Sequence, residues 1–235
     1  FWDIDGDAGT FNSSSSELNM PEGSVIKKAY LYWQGLAKTD EFNSARTIKL
    51  KPPGGSYISL EAPASQVNWS QYDNYFPYQA KIEITEHMNG AGEYTVADLW
   101  TTEGKVAVLG TYGAWSIVVV YENMQNAMKN ISIYDGYQAI DENNEQEVTL
   151  SGFMTPTNGV VDSKFLVFAG EGVVDISGDY IEMDGTKLRR NDADDGNNAF
   201  NASVTDNGLN VTTRTPSCQN NLGIDIHTYN VGTMG

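Results

Sequence analysis

The stretch that most constrains the fold is 113–123, which reads Gly-Ala-Trp-Ser-Ile-Val-Val-Val-Tyr-Glu-Asn. Side chains alternate between the two faces of a strand, and here both faces are largely apolar. Its β-branched residues disfavour a helix, and the run begins at a glycine, so we interpret it as a strand. A strand that is apolar on both faces belongs in the middle of a layered structure. We therefore expect 113–123 to be the central, fully buried strand.

Shorter apolar patterns on either side predict further strands. In 25–33 we expect Val25, Ala29, Leu31 and Trp33 to face inward, and in 131–133 the two isoleucines. Asp184-Gly185 is a tight-turn signal for a hairpin, and no amphipathic helix longer than two turns is evident. The remaining predicted strands are 45–51, 80–85, 93–100, 105–109, 148–150, 165–169, 176–183, 204–213 and 223–231. Short strands separated by turn residues indicate an all-β fold, an antiparallel β-sandwich or jelly-roll-like structure.

The first 24 residues differ in character from the β-sandwich domain that we expect at 25–235. Asp3, Asp5 and Asp7 alternate along an acidic, glycine-containing loop, and such carboxylates are able to surround one calcium ion. Ala8 and Ser14 stand where an EF-hand has its glycine and its closing glutamate, so the loop is not an EF-hand. The alternative is a solvated acidic turn, because Asp-Gly is turn chemistry in its own right. We expect 13–16, four serines, to be a flexible connector.

Six motifs occur in an order that shows a resemblance. They are Lys28-Ala-Tyr-Leu-Tyr-Trp-Gln-Gly35, the 113–122 strand, Tyr134-Asp-Gly-Tyr137, Gly152-Phe-Met-Thr-Pro156, Phe168-Ala-Gly-Glu-Gly172 with Gly178-Asp179, and Asn221-Leu-Gly-Ile-Asp-Ile226. The series resembles a β-rich module of large secreted or surface-attached prokaryotic proteins, such as adhesins and extracellular matrix or fibre proteins, over about 25–231. The resemblance implies a non-catalytic extracellular role, often with calcium, and it makes Asp225 a candidate calcium ligand.

A second acidic loop, 191–198, contains Asp192 and Asp194, whose oxygens suit calcium although their spacing is irregular. A solvated loop is the alternative. On the last predicted strand we expect Ile224 and Ile226 to face inward, which would leave Asp225 and His227 facing solvent or a neighbouring loop. The calcium ligands that we predict are therefore Asp3, Asp5, Asp7, Asp192, Asp194 and Asp225.

Composition restricts the partners and the location. The net charge of −17 and the pI of about 4.3 argue against binding to nucleic acid or to anionic membrane surfaces. No stretch approaches the ~20 apolar residues of a membrane span, so we expect no membrane insertion. Cys218 is the only cysteine, which excludes an internal disulfide. Five glycosylation sequons, at Asn12, Asn68, Asn130, Asn201 and Asn210, are compatible with an extracellular or cell-surface location.

No arrangement of residues is diagnostic of an enzyme. Ser116 does not lie in a nucleophile elbow, and neither His87 nor His227 has a recognisable serine partner, so we assign no catalytic residues. The aromatic stretch 69–78 supports a different activity. Its Trp69, Tyr72, Tyr75 and Tyr78 could stack on a carbohydrate or hold a peptide, or they could instead pack over one end of the core.

The N-terminus suggests a route to assembly. Phe1 and Trp2 are large aromatics ahead of an acidic loop, and Phe1 is not a methionine, so we expect a chain processed or excised from a longer polypeptide. The two rings either fold back on their own sandwich or anchor in a neighbouring copy, head to tail. The sequence thus predicts a calcium-stabilised structural or adhesive module whose partners are its own copies or a surface glycan or protein.

Overall fold

The computed structural model describes residues 2–38, 41–103, 111–140, 145–152, 163–170, 172–221 and 223–232. In these ranges the protein is all-β, with one short α-helix, Phe42–Ala45, and two single-turn 3-10 helices, Ala64–Gln66 and Thr85–His87. The strands are β1 Ser13–Leu18, β2 Val25–Lys38, β3 Thr47–Lys51, β4 Ile58–Glu61, β5 Val67–Trp69, β6 Tyr75–Glu83, β7 Gly92–Ala97, β8 Gly113–Glu122, β9 Ser163–Gly170, β10 Glu182–Met183, β11 Thr186–Lys187, β12 Val204–Asp206, β13 Leu209–Asn210, β14 Arg214–Thr215 and β15 Ile224–Gly232.

Three sheets and a small hairpin organise these strands. The first sheet has the order β14-β1-β7-β3-β4, the second β5-β6-β2-β8, and the third β13-β12-β15-β9, while β10 and β11 form the hairpin. Neighbouring strands are antiparallel except β12 and β15, which are parallel. The first and second sheets share one hydrophobic core, to which β2, β6, β3 and β7 contribute. Two antiparallel sheets that face each other across a common core confirm the predicted β-sandwich.

Large side chains fill this core and keep their polar atoms bonded. Leu31 and Trp33 of β2 are completely buried, and the Trp33 indole N–H donates to the carbonyl of Ala45 at 2.8 Å. From the first sheet, the Tyr94 hydroxyl donates to the Gly90 carbonyl at 2.8 Å. Buried aromatic residues with satisfied polar ends add apolar area without leaving an unpaired donor.

Among the described strands, β6 and β2 are the interior strands of the second sheet and β8 lies at its edge, so the expectation that 113–123 is the central, fully buried strand is wrong. β2 lies between β6 and β8, whereas β8 pairs only with β2 among the strands that the structure describes. Trp115, Ile117 and Val119 pack against the core, but residues 114–121 are only partly buried on both faces of β8. On the outer face, Val118 lies opposite Tyr30. A tyrosine on the neighbouring strand partly shields an apolar side chain from water. The apolar residues on the outer face of β8 therefore do not require a further layer of protein packed over that face.

The 134–137 segment covers part of that outer face. Asp135 accepts a hydrogen bond from the Tyr32 hydroxyl and forms an ion pair with Lys81. The Tyr137 hydroxyl donates to the carbonyl of Pro77 at 2.9 Å. A chain segment held at two places therefore shields Tyr32 of β2 from solvent on this side of the sheet.

The predicted inward face of 25–33 is right for Ala29, Leu31 and Trp33 and wrong for Val25. The pairing of β2 with β8 shifts register between Ile26 and Lys28. Such a bulge inserts one residue and exchanges the faces on its two sides. As a result Val25 is 56 % exposed, and Ile26 packs against the core instead.

The serine-rich stretch is a strand rather than the flexible connector expected from its composition. Ser13 and Ser15 are buried, and β1 pairs along its whole length with β7 and, at two residues, with β14. The hydroxyls have partners: that of Ser15 donates to Glu93 at 3.0 Å, and that of Ser14 accepts from the Trp115 indole at 2.7 Å. Because β1 consists mainly of small polar residues, it has no hydrophobic periodicity from which a strand could be predicted.

Two further predicted strands, 131–133 and 148–150, are also wrong, and the strand predicted at 176–183 is confirmed only at Glu182–Met183. The stretches 131–133 and 148–150 lie outside the strands, and Ile131 and Val148 are exposed rather than inward-facing. Alternation alone does not make a strand where no neighbouring strand is available to pair with it. The predicted strand at 105–109 lies outside the described residues. The hairpin predicted at Asp184-Gly185 is confirmed, since both residues have positive φ and connect β10 to β11.

The different roles of β2 and β8 lead to a prediction about stability. Leu31→Ala empties a fully buried site and should lower the free energy of unfolding by about 2–5 kcal/mol. Val118→Ala removes half-buried methyl groups and should cost less than about 1.5 kcal/mol. Urea denaturation of both variants measures the difference. Equal losses would show that the outer face of β8 is as buried as the core face of β2.

Candidate functional site

The acidic N-terminal loop is shaped by its own carboxylates. Asp5 accepts a hydrogen bond from the Asp7 N–H at 2.9 Å, and Asp7 accepts one from the Gly9 N–H at 2.8 Å. These are two successive turns in which an aspartate caps the backbone two residues further on. Asp3 accepts from the Ser13 hydroxyl at 2.9 Å. The loop conformation thus follows from turn chemistry.

Asp5 is also bonded to the body of the sandwich, through the hydroxyl of Tyr57. Desolvation raises the pKa of Asp5, but the hydrogen bonds from Tyr57 and the Asp7 N–H outweigh it and lower this pKa to about 2. Asp5 and Asp7 line an open cleft of about 260 Å³ together with Lys51, Gly55, Ser56 and Tyr57. Asp3 is not among the residues that line this cleft, and the Lys51 ammonium, which lies over the Tyr57 ring, adds a positive charge to the lining. Calcium binding by Asp3, Asp5 and Asp7 stays a prediction.

The rest of the N-terminal segment is fastened to its own sandwich. The Lys49 ammonium lies 2.6 Å from the Gly9 carbonyl and 2.7 Å from the Asp98 carboxylate. The side-chain amide of buried Asn12 exchanges two hydrogen bonds with the backbone of Leu99, at 2.8 and 3.0 Å. Because both polar atoms of that amide are engaged, the Asn12 sequon is not accessible in the folded protein.

The aromatic terminus is only partly described. Phe1 lies outside the described residues, and the Trp2 side chain is 58 % exposed while its carbonyl accepts from the Ser13 N–H at 2.9 Å. The backbone therefore packs on its own sandwich, and the Trp2 ring faces solvent. Head-to-tail contact between copies through Phe1 and Trp2 stays a prediction.

In the second acidic loop, Asp194 is committed to an arginine. Its two oxygens bind the Arg190 guanidinium at 2.8 and 3.1 Å, and both side chains are largely buried. Burial raises the pKa of Asp194, but hydrogen bonds from Arg190 and the Gly196 N–H lower it to about 2. Asp192 is exposed two residues away. Asp192 and Asp194 therefore have different surroundings, and their carboxylates do not form one calcium site.

The last strand buries its polar residues. Of the two surroundings expected for Asp225 and His227, solvent is wrong, whereas Asp225 does lie against a neighbouring loop, at Gly172 and Ser203. Asp225 and His227 are fully buried, as is Tyr229 on the same face of β15. His227 Nε2 lies 3.1 Å from Asp225 Oδ1, and His227 Nδ1 lies 2.8 Å from the Thr205 hydroxyl. These mutual hydrogen bonds make burial of polar groups possible.

Two polar atoms on this face have no hydrogen-bond partner among the described residues, Asp225 Oδ2 and the Tyr229 hydroxyl. Burial raises the pKa of Tyr229 to about 12. Gly172 lies directly against Asp225, since a Cβ on Gly172 would stand 2.0 Å from Oδ2. Only glycine fits there. The sequence signal for this polar face is the alternation of Asp225, His227 and Tyr229 along β15. Because Ile224 and Ile226 alternate with them, hydrophobicity alone predicts that the isoleucines face inward and the polar residues outward.

The aromatic stretch 69–78 is a hairpin. Tyr72 and Tyr75 exchange backbone hydrogen bonds around Asp73, whose φ is 56°. Trp69 and Tyr72 are 49 % and 47 % exposed, and Tyr75 is half-buried. Tyr78 is buried in the core and donates its hydroxyl to a backbone carbonyl, so its predicted role in ligand binding is wrong. A binding platform would consist of Trp69, Tyr72 and Tyr75.

The Arg190–Asp194 pair leads to a prediction about pH. The pKa of Asp194 is about 2 in the folded protein against 3.8 ordinarily, so the pair stabilises the fold above about pH 4. Asp194→Asn should therefore lose about 2 kcal/mol at neutral pH. The difference from the wild type should shrink as the pH falls towards 2. Urea denaturation at several pH values measures it, with exposed Asp192→Asn as control. A difference independent of pH would contradict the ion pair.

Comparison with protein-family models, with curated proteins and with solved structures finds no match to this chain. The resemblance to a module of prokaryotic surface proteins thus stays a prediction. Within the described ranges, no helix is long and apolar enough to cross a membrane. In the same ranges, no group of three or more His, Cys, Asp and Glu side chains is arranged to hold a metal ion. The function of the chain therefore has to be inferred from its geometry.

Proposed function

We propose that the chain is a non-catalytic structural or adhesive module of the cell exterior, a subunit of a surface fibre or a domain of a larger adhesin, stabilised by calcium. One observation carries this proposal. The first and the last of the described strands, β1 and β15, are both interior strands of their sheets. The chain is therefore clamped on both sides at the places where it enters and leaves the described fold.

The two clamps are extensive. β1 pairs with β7 at six residues and with β14 at two. β15 pairs with β9 at eight residues and with β12 at three. Side-chain bonds reinforce β1 at its start, where Asn12 binds the backbone of Leu99. Neither strand is able to leave its sheet without breaking two hydrogen-bond ladders.

This arrangement suits a load along the chain. Ladder hydrogen bonds in antiparallel sheets run perpendicular to the strands, so a pull along β1 loads several of them at once. Each such bond has a net value of only about 1 kcal/mol, but breaking them together requires a much larger force than breaking them one by one. Resistance to pulling is what a fibre subunit or an adhesin domain needs. The exposed sequons at Asn68, Asn130 and Asn210 are compatible with an extracellular location.

Force measurement on single molecules tests the proposal. Ser16→Pro removes a backbone N–H from an interior strand, where proline is not tolerated, whereas Ser16→Ala keeps it. With handles attached before β1 and after β15, the wild type and Ser16→Ala should unfold at similarly high force, and Ser16→Pro at a clearly lower one. Equal forces for all three, or strands that peel away before the core yields, would count against a load-bearing role.

A second function is favoured by the aromatic hairpin. Trp69 and Tyr72 expose half of their rings on one hairpin, as a stacking platform for a carbohydrate or an extended peptide requires. Trp69→Ala should abolish binding to a glycan array if the platform is functional. Leu209→Ala, which removes an exposed apolar side chain elsewhere, is the control. Absence of glycan and peptide binding by the wild type would leave only the load-bearing role.

A further inference from the structure

The open cleft beside the N-terminal loop has the size of a small-molecule site. Two segments of the chain line it: Asp5 and Asp7 belong to the N-terminal loop, and Lys51 and 55–57 belong to the end of β3 and the turn that follows it. Its volume is about 260 Å³. Pockets for drug-sized ligands begin at about 300 Å³, so this cleft suits a molecule of about the size of one amino acid.

Both segments are already held in place without a ligand. The Tyr57 hydroxyl donates to Asp5 and so joins the N-terminal loop to the turn after β3. In that turn the Gly55 N–H donates to the Pro52 carbonyl at 3.0 Å. Because a ligand does not have to order either segment, little conformational entropy is lost when one binds.

Opposite charges line the cleft without forming an ion pair with each other. The Lys51 ammonium lies 5.6 Å from the centre of the Tyr57 ring, and no carboxylate among the described residues pairs with it. Asp7 Oδ1 accepts from the Gly9 N–H at 2.8 Å, whereas Asp7 Oδ2 has no donor in the described ranges. The Ser56 hydroxyl also lacks a partner within those ranges. An ammonium, a carboxylate oxygen and a hydroxyl are therefore available to one ligand.

The charges of the lining select the kind of ligand. Burial raises the pKa of Asp5, but hydrogen bonds from Tyr57 and from the Asp7 N–H lower it to about 2, so this carboxylate is ionised at neutral pH. The two carboxylates repel a simple anion, and the Lys51 ammonium repels a simple cation. A molecule that carries both charges avoids both repulsions, because each of its charges has an opposite charge to approach.

We propose that the cleft binds a free α-amino acid in its zwitterionic form. The α-ammonium donates to Asp7 Oδ2, and the α-carboxylate accepts from the Lys51 ammonium and the Ser56 hydroxyl, in charge-assisted hydrogen bonds. Since the cleft is open, the side chain of the amino acid lies at its mouth, and the site selects for the two charges more than for one side chain. This binding activity goes beyond the load-bearing role and does not depend on it.

Chemical-shift mapping of isotope-labelled wild-type protein tests the proposal. The probes are the standard protein amino acids, each titrated singly at neutral pH. At least one should shift the Gly55 and Ser56 amides saturably and leave the Ser203 amide of the third sheet unchanged. The N-acetyl derivative of that amino acid lacks the ammonium, and its methyl ester lacks the carboxylate. Each should bind about five- to tenfold more weakly, because one charge-assisted contact is lost.

Substitutions that remove one charge from the cleft give a second readout. Lys51→Met keeps the stem of the side chain, Asp7→Asn keeps the acceptor of its turn, and each should weaken binding by a similar factor. Lys187→Met is the matched control for the lysine, since the Lys187 ammonium also lies over a tyrosine, 4.0 Å from the centre of the Tyr180 ring. Asp195→Asn is the control for Asp7, because Asp195 likewise accepts from the N–H two residues further on, at 2.9 Å. Both controls should bind as the wild type does.

The outcomes decide between a zwitterion and a single charge. The proposal is overturned if no amino acid shifts the two amides, if either derivative binds as well as its parent, or if Lys51→Met binds as the wild type does. Saturable shifts with calcium chloride and none with any amino acid would make the cleft a cation site instead. The derivatives test the same contacts on the wild type where a variant does not fold. None of these results bears on the load-bearing role, which is measured by force.

Discussion

The packing of β2 against the first sheet is the constraint on which the rest of the sandwich depends. β2 brings Leu31 and Trp33 into the core at zero exposure and has a partner strand on each side. The Trp33 indole reaches across to the backbone of Ala45, next to β3, so it ties the two sheets by a hydrogen bond as well as by contact. β1 is then added to the first sheet, and its residue Ser14 bonds Trp115 of the second. The N-terminal loop is positioned by this scaffold.

Those strands whose apolar residues alternate could be predicted from the sequence. Ile48 and Leu50, in the strand predicted at 45–51, and Ala80, in that predicted at 80–85, are buried, because one face of each strand meets the core and the other meets water. The order of strands within a sheet could not be predicted in this way. β2 carries Tyr30 and Tyr32, polar at one end, and its pattern therefore indicates less burial than that of β8, although β2 is the one with neighbours on both sides.

In the candidate sites, too, local features could be predicted from the sequence and long-range features could not. The turns made by Asp5 and Asp7 involve atoms two residues apart, so Asp-Gly spacing was enough to indicate a shaped acidic loop. The burial of Asp225 and His227 depends on Ser203 and Thr205, each 22 residues away along the chain. No local pattern reveals such partners, and without them two polar residues on a strand indicate a solvent-facing side.

The polar interior of the third sheet specifies its register more strictly than an apolar interior would. Thr205 pairs with His227 in the parallel ladder, and its hydroxyl meets the His227 ring. A slip of one residue would turn Asp225 and His227 outward and break their hydrogen bonds to Ser203 and Thr205, because side chains alternate between faces. Ile224 and Ile226 would still be accepted by an apolar interior, so hydrophobicity alone would tolerate the slip. The buried polar residues do not tolerate it, since each would leave an unsatisfied partner behind. The short strand β12 is thereby held in one alignment with β15.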